Sequence, residues 1–331
     1  MAGARREWTR ESLAEGVRAG DKRALARAIS LVENGDALAY DVVRDLYPQT
    51  GRAYAIGITG PPGVGKSSLI SALVRHVRSR DTSVGVISVD PSSPFSHGAL
   101  LGDRIRLSDH FLDPGVFIRS MGARGHLGGL AEATLQALLV LDAAGKELVF
   151  LETVGAGQGE VEVIGIADTV VLVLMPGSGD SVQALKAGIM EIPDVIAINK
   201  LDHPAAKTMQ NEVRSILTLD RESAWRPPIV MTEALRGEGV ETLWEKIEAH
   251  RAHLESEGLL EERRRKNLAG EVFAVASGRA RAHLVQAVEG DPELQRVLDE
   301  VQRRELDPLT AVQEILRKVF KLGNEDGTDT R

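Results

Sequence analysis

The sequence predicts an α/β fold, a mostly parallel sheet covered by helices on both faces, and three observations carry that prediction. Between residues 51 and 250, short apolar runs alternate with stretches of helical periodicity, the pattern of strands buried on both faces joined by crossover helices. A glycine-rich loop, Gly60 to Ser67, lies between one such run and one such helix. Finally, the chemically distinctive motifs fall at the C-terminal ends of predicted strands, where open α/β sheets bind their ligands.

Residues 9–50 read as helices, and Asp21 is placed to cap one that carries Leu25, Ile29 and Val32 on one face and ends near Asn34-Gly35. Strands are predicted over 54–59, 84–89, 116–119, 148–152, 169–175, 194–198 and 228–232, with helices over 67–80, 127–144, 180–191, 205–219 and 240–256. From 251 onward the chain changes character. A basic run, Arg263 to Lys266, precedes two apolar-periodic stretches around 267–287 and 293–320, which read as a helical arm. The basic run itself reads as a solvated helix face. The division expected is 1–50 N-terminal helical extension, 51–250 sheet domain, 251–322 helical arm and 323–331 disordered tail.

Composition narrows the possibilities. With 43% hydrophobic residues the chain can fill an ordinary core, and a net charge of −8 gives no reason to expect nucleic acid or an anionic membrane as partner. The absence of cysteine excludes disulfides, thiolate metal sites and cysteine nucleophiles. No apolar run reaches the length of a membrane span, and no apolar signal core follows Arg5-Arg6, so a soluble cytoplasmic protein is expected.

The loop Gly60-Pro61-Pro62-Gly63-Val64-Gly65-Lys66-Ser67 matches the G-x-x-x-x-G-K-[ST] phosphate loop, and Ser68 continues it into the helix. Its glycines let backbone N–H groups approach phosphate oxygens, and the following helix N-terminus adds partial positive charge. Lys66 is placed to reach the β- and γ-phosphates, and the Ser67 hydroxyl to ligate Mg²⁺. Farther on, Asn199-Lys200-Leu-Asp202 matches an N-K-x-D guanine reader. A carboxylate at Asp202 accepts from two donors on guanine that adenine lacks, which favours GTP. Asn199 is expected at the N7/O6 edge, with the Lys200 stem over the base plane. Glu233, Ala234 and Leu235, just past the last predicted strand, complete the nucleotide-binding candidates. Asp90, Asp103 and Glu152 are candidates for the Mg²⁺ shell, with Glu152 at the Walker-B position in place of the commoner aspartate. Lys66, Asp103 and Glu152 are the catalytic candidates, and the domain over 51–250 is expected to be a P-loop GTPase.

The ordered set Gly60-Pro-Pro-Gly, Lys66-Ser67, Asp90-Pro-Ser-Ser-Pro-Phe95, Leu101-Gly-Asp-Arg104 and Glu152-Thr-Val-Gly-Ala-Gly-Gln158 resembles the MeaB/ArgK/MMAA GTPases, as do Arg119 to Leu130 and Pro176 to Glu191. The resemblance runs from about residue 9 to 265. Departures are Ser68 for a common threonine, Ala156 and Gly159 for valine and serine, and Ser181-Val182 where an acidic residue and leucine are frequent. The resemblance implies a G-protein chaperone of a cobalamin-dependent acyl-CoA mutase, binding GTP/GDP and Mg²⁺. Adenosylcobalamin would enter only through the partner mutase, and the C-terminal arm would form a homodimer. Residues 90–106, 152–160 and 176–187 would be its switches, with Asp180, Gln183 and Lys186 passing the nucleotide state to the mutase. No glutamine follows Gly155 to orient water, although Gln158 is near, and Arg104, Arg106 and Arg124 are candidate fingers. Slow hydrolysis stimulated by the partner is therefore expected.

Two other readings share the sheet and the loop. A nickel- or zinc-insertion GTPase calls for a Cys- or His-rich tract, whereas the eight histidines are scattered and only His250 and His253 lie close together. A kinase linked to amino-acid transport calls for an acceptor pocket and a base, and no residues in the sequence mark either.

Overall fold

The computed structural model describes residues 8–90, 107–122, 129–153, 165–177, 193–218 and 224–320. Three N-terminal helices, α1 (Arg10–Arg18), α2 (Lys22–Glu33) and α3 (Ala37–Leu46), precede β1 (Tyr54–Thr59) and α4 (Lys66–Arg78). Next come β2 (Val84–Asp90), β3 (Val116–Gly122), α5 (Gly129–Ala143), β4 (Leu148–Thr153), β5 (Thr169–Leu174) and β6 (Val195–Ile198). Then follow α6 (Ala206–Leu217), β7 (Ile229–Met231), α7 (Val240–Ser256), α8 (Leu259–Gly290), α9 (Pro292–Gln302) and α10 (Pro308–Phe320). All seven expected strands are present. The expected helix over 180–191 lies outside the described residues.

The seven strands form one sheet in the order β3-β2-β4-β1-β5-β6-β7, and every described pairing is parallel. From β1 the chain first builds toward β3 and then returns to build toward β7. The strand order therefore reverses beside β1, the position at which such sheets open a crevice for ligand.

Alternate side chains of each strand serve opposite faces. On one face Ala55, Val149, Leu151 and Val170 join Leu13, Leu25, Ile29 and Leu46 of the N-terminal helices, together with Ala137 and Leu141 of α5. On the other, Ile56, Ile58, Phe150, Val171 and Val173 pack against Leu69 and Leu73 of α4 and Leu243 and Trp244 of α7. A smaller cluster places Met209 and Val213 of α6 on Leu172 and Ile196. Each valine, leucine, isoleucine, phenylalanine or methionine among them contributes roughly 1.5–3 kcal/mol on leaving water. Asp21 caps α2 as expected, accepting from the Arg23 and Ala24 amides. The N-terminal helices are also tied to the sheet by charge, since Arg119 of β3 pairs with the buried Glu33 of α2.

The chain divides into two compact units, Met1–Val272 and Phe273–Arg331. The second contains the end of α8 with α9 and α10, where Leu294, Val297 and Ala311 are buried and Lys318 pairs with Asp291 at 2.7 Å. No helix among the described residues is long and apolar enough to cross a membrane.

Half of the basic run is not a solvated face: Arg265 and Lys266 are exposed, whereas Arg263 and Arg264 are partly buried and paired. Arg263 makes two bonds to Asp194, at 2.9 and 2.8 Å. Arg264 grips Asp168 at 2.7 and 2.8 Å and donates to the Gly51 and Ala53 carbonyls. Both acceptors sit at strand N-termini, where Asp168 also receives the Ala55 amide and Asp194 the Val170 amide. The arginines exchange water for carboxylates whose remaining lone pairs are already used, which is what lets a charge pair sit partly buried.

Candidate functional site

The glycine loop between β1 and α4 has the conformation that its sequence demands. Gly60 has φ +138°, and a side chain there would run into the Val173 carbonyl. Gly65 has φ +96°, and a Cβ would strike the Asn199 amide. Gly65 is also the N-cap of α4, with no side chain capping the helix. The first amides of α4 are thus left for an anionic ligand.

Lys66, although charged, is buried, with 5% exposure. Its ammonium donates to the Gly60 carbonyl at 2.6 Å and the Pro61 carbonyl at 3.0 Å, which hold it across the loop. Ser67 and Glu152 come from different elements and meet in the interior, with the Ser67 hydroxyl donating to the carboxylate at 2.5 Å. Glu152 is 1% exposed and Ser67 3%. A hydroxyl and a carboxylate brought together beside a phosphate loop form a hard oxygen donor set, which fits a small divalent cation such as Mg²⁺. Asp90 ends β2, the strand beside β4, so its backbone arrives at the same edge of the sheet. Asp103 lies outside the described residues, as do Arg104, Arg106, Arg124, Ala156, Gln158, Asp180, Gln183 and Lys186.

The guanine reader follows β6. Asn199 is 3% exposed and braces three segments at once. Its Nδ2 donates to the Val64 carbonyl at 2.9 Å, while its Oδ1 accepts from the Ala234 amide at 3.1 Å and the Thr232 hydroxyl at 3.3 Å. The sequence expectation gave this amide the N7/O6 edge of the base. Its described bonds join phosphate loop, guanine reader and the 233–235 segment. Lys200 adopts φ +61°, a conformation in which few non-glycine residues are found. Asp202 is exposed, with its carboxylate open to a ligand. Glu233 and Ala234 are buried, whereas Leu235 is 82% exposed. Pro62 and Gly63 are exposed at the loop tip, and Ser68 is half-buried in the first turn of α4.

Sequence reasoning missed Ser88. It lies opposite Glu152 in the β2–β4 register and donates to the second carboxylate oxygen at 2.9 Å. A serine inside the apolar run Val84 to Val89 is the local signal that could have drawn notice.

Comparison with known proteins identifies the family. A family model described as methylmalonyl-CoA mutase-associated GTPase MeaB matches residues 25–289. A Pyrococcus abyssi protein named as a GTPase is 48% identical over 314 residues, 94% of this chain and 97% of its own. The GTPase ArgK of Escherichia coli is 31% identical over 316 residues, 92% and 96% of the two chains. The mouse mitochondrial methylmalonic aciduria type A homolog is 31% identical over 273 residues, 77% and 66% of the two chains. The crystal structure of a LAO/AO transport system kinase superposes with a TM-score of 0.73 at 25% identity, covering 96% of this chain and 100% of that one. With the family model spanning most of its length, the chain belongs to the MeaB/ArgK/MMAA family of P-loop GTPases.

Proposed function

We propose that the protein hydrolyses GTP in an Mg²⁺-dependent cycle that gates adenosylcobalamin delivery to a cobalamin-dependent acyl-CoA mutase and protects or reactivates that mutase. One observation carries the reading. The buried Lys66, Ser67 and Glu152 are joined through Asn199 to the guanine-reading segments at the edge of the sheet, in a chain whose family is described by its association with methylmalonyl-CoA mutase.

Phosphoryl transfer to water needs positioning and charge neutralisation more than covalent chemistry. Lys66 supplies a desolvated positive charge over the loop, where electrostatic attraction is screened less than in water. The uncapped amides of α4 bind phosphate oxygens. Ser67 and Glu152, with Asp90 and Asp103, would hold Mg²⁺, which would neutralise charge on the phosphates. Asp202 selects guanine. The segments 90–106, 152–160 and 176–187 begin, in the sequence, at or near the ends of β2, β4 and β5. They are the switches, and Asp180, Gln183 and Lys186 pass their state to the mutase. A homodimer forms through the C-terminal arm. In its support, Val285, Leu298 and Val312 expose 45%, 41% and 50% of their surface within the second unit, and helices with apolar faces bury them against a partner.

The test is GTP hydrolysis by the pure protein with Mg²⁺, with and without a cobalamin-dependent mutase from the same genome. A slow basal rate that rises sharply with one mutase identifies the client. If no such mutase changes the rate, the chaperone reading fails. Phosphate appearing on an added amino acid rather than in solution would favour the kinase.

A further inference from the structure

We infer that Ser88 is a positioning residue for the metal side of the site, fixing the Glu152 carboxylate toward Ser67. The inference rests on the reading of Ser67 and Glu152 as metal-side groups and goes beyond it by assigning the group that orients them.

Glutamate at this position has one more rotatable bond than aspartate, so its carboxylate must be restrained to face one direction. The neighbouring strand supplies the restraint. Ser88 and Glu152 are direct register partners across β2 and β4, and each is 1% exposed. The Ser88 hydroxyl donates to Oε2 at 2.9 Å while the Ser67 hydroxyl donates to Oε1 at 2.5 Å. The two bonds divide the carboxylate: one oxygen faces the phosphate loop and the other is pinned to the sheet. The chemistry of the pin also matters. A neutral hydroxyl satisfies a lone pair without cancelling the negative charge, which an arginine or lysine would do. Around it β2 presents Val84 and Val86, both fully buried, and serine fits a buried central strand poorly on packing grounds alone. The hydrogen bond to Glu152 accounts for its presence.

The experiment uses the full-length protein and a fluorescent GDP analogue, with affinity and release rate followed against Mg²⁺ concentration and in EDTA. Ser88→Ala, Ser88→Cys, Glu152→Gln and the double variant Ser88→Ala/Glu152→Gln are compared with the parent. Outer-shell partners of metal ligands typically change metal affinity by about 10–100-fold when removed. Ser88→Ala is expected to raise the half-saturating Mg²⁺ concentration about tenfold and to leave affinity in EDTA unchanged. Ser88→Cys is close to serine in size and a weak donor, so it should shift in the same direction and covers the case in which the alanine variant fails to fold. The double variant should titrate like Glu152→Gln alone. If Glu152→Gln shifts the Mg²⁺ titration while both Ser88 variants follow the parent, or if the double variant shifts further than Glu152→Gln, the role of Ser88 is overturned. If Glu152→Gln itself titrates like the parent, the metal-side reading beneath it falls as well.

Discussion

At the C-terminal end of the sheet, the helix following β1 begins with amides that no side chain caps, and the buried Lys66 lies across a glycine loop. At the N-terminal end, the amides leading into the same strand are covered. Asp142 accepts from the Gly51, Arg52 and Ala53 amides at 2.5, 3.3 and 3.0 Å, and Asp168 and Asp194 are closed off by Arg264 and Arg263. Backbone groups of the same kind receive opposite treatment within the length of one strand. Donors left open are available to a ligand, whereas donors matched with acceptors hold the sheet to its flanking helix. The base holds buried charge too, at Asp142 and Asp168, so burial of charge alone does not identify function.

Substitutions at the two ends should separate activity from stability. Lys66→Ala removes the charge over the loop and should lower the rate of GTP hydrolysis by about 10²–10³-fold, with the melting temperature of the nucleotide-free protein almost unchanged. Arg264→Ala should do the reverse. It strands Asp168, which is only 4% exposed, and breaking a pair of this kind costs about 3–5 kcal/mol. Chemical denaturation should show that loss, while GTP affinity of the folded fraction stays at the parent value. If Arg264→Ala abolished binding without loss of stability, the division between the two ends would collapse.

A pH effect sharpens the same comparison at the base. His250 lies between the Thr169 hydroxyl at 2.8 Å and the Asp194 carboxylate at 3.3 Å. Tyr54, whose own pKa burial pushes up to about 12, contacts the same Thr169 oxygen at 2.6 Å. A neutral ring can accept from the Thr169 hydroxyl at Nδ1 while its Nε2 lies beside the Asp194 carboxylate. Burial lowers the pKa of His250 from 6.5 to about 4, against the pull of Asp194 and with help from Arg263. The unfolded chain therefore binds the extra proton first. Stability attributable to this residue is intact above pH 6.5 and is lost as pH falls through about 4, about 3 kcal/mol in all. His250→Gln should flatten the slope of unfolding free energy in that window, and a slope identical to the parent would disprove the assignment. The smallest expected effect is at the α2 cap, where Asp21→Ala should cost about 1 kcal/mol and leave hydrolysis untouched.

Much of the fold was legible because a parallel sheet buried on both faces leaves continuous apolar runs. Leu148 to Leu151 and Thr169 to Leu174 could be read without their partners, and every strand lies within a few residues of its expected bounds. The phosphate loop was legible for a different reason, since its geometry is local and written in glycine. What the sequence concealed is non-local. Arg263 and Arg264 read as a solvated run because Asp194 and Asp168 are 69 and 96 residues away, too far for any spacing to show. Ser88 needed the β2–β4 register to acquire a meaning. The Asn199 motif was visible, but its described bonds are set by two other loops. One feature was legible and unread. Asp291-Pro292 and Asp307-Pro308 each place a capping acid before a proline, and they divide the last stretch into α9 and α10.

Asn199 reaches the Val64 carbonyl across 135 residues of chain, and Ser67 reaches Glu152 across 85. A nascent chain that has emerged only as far as β5 possesses the whole phosphate loop and Glu152 but not the Asn199 brace. Contacts closed over such distances form late, after the entropy of the intervening loop has been overcome. Nucleotide therefore meets a competent pocket only once the sheet has grown past β6, and it then stabilises everything between the two contacts together. No fragment ending before Asn199 should retain GTP. Bound nucleotide would then report on completion of the fold.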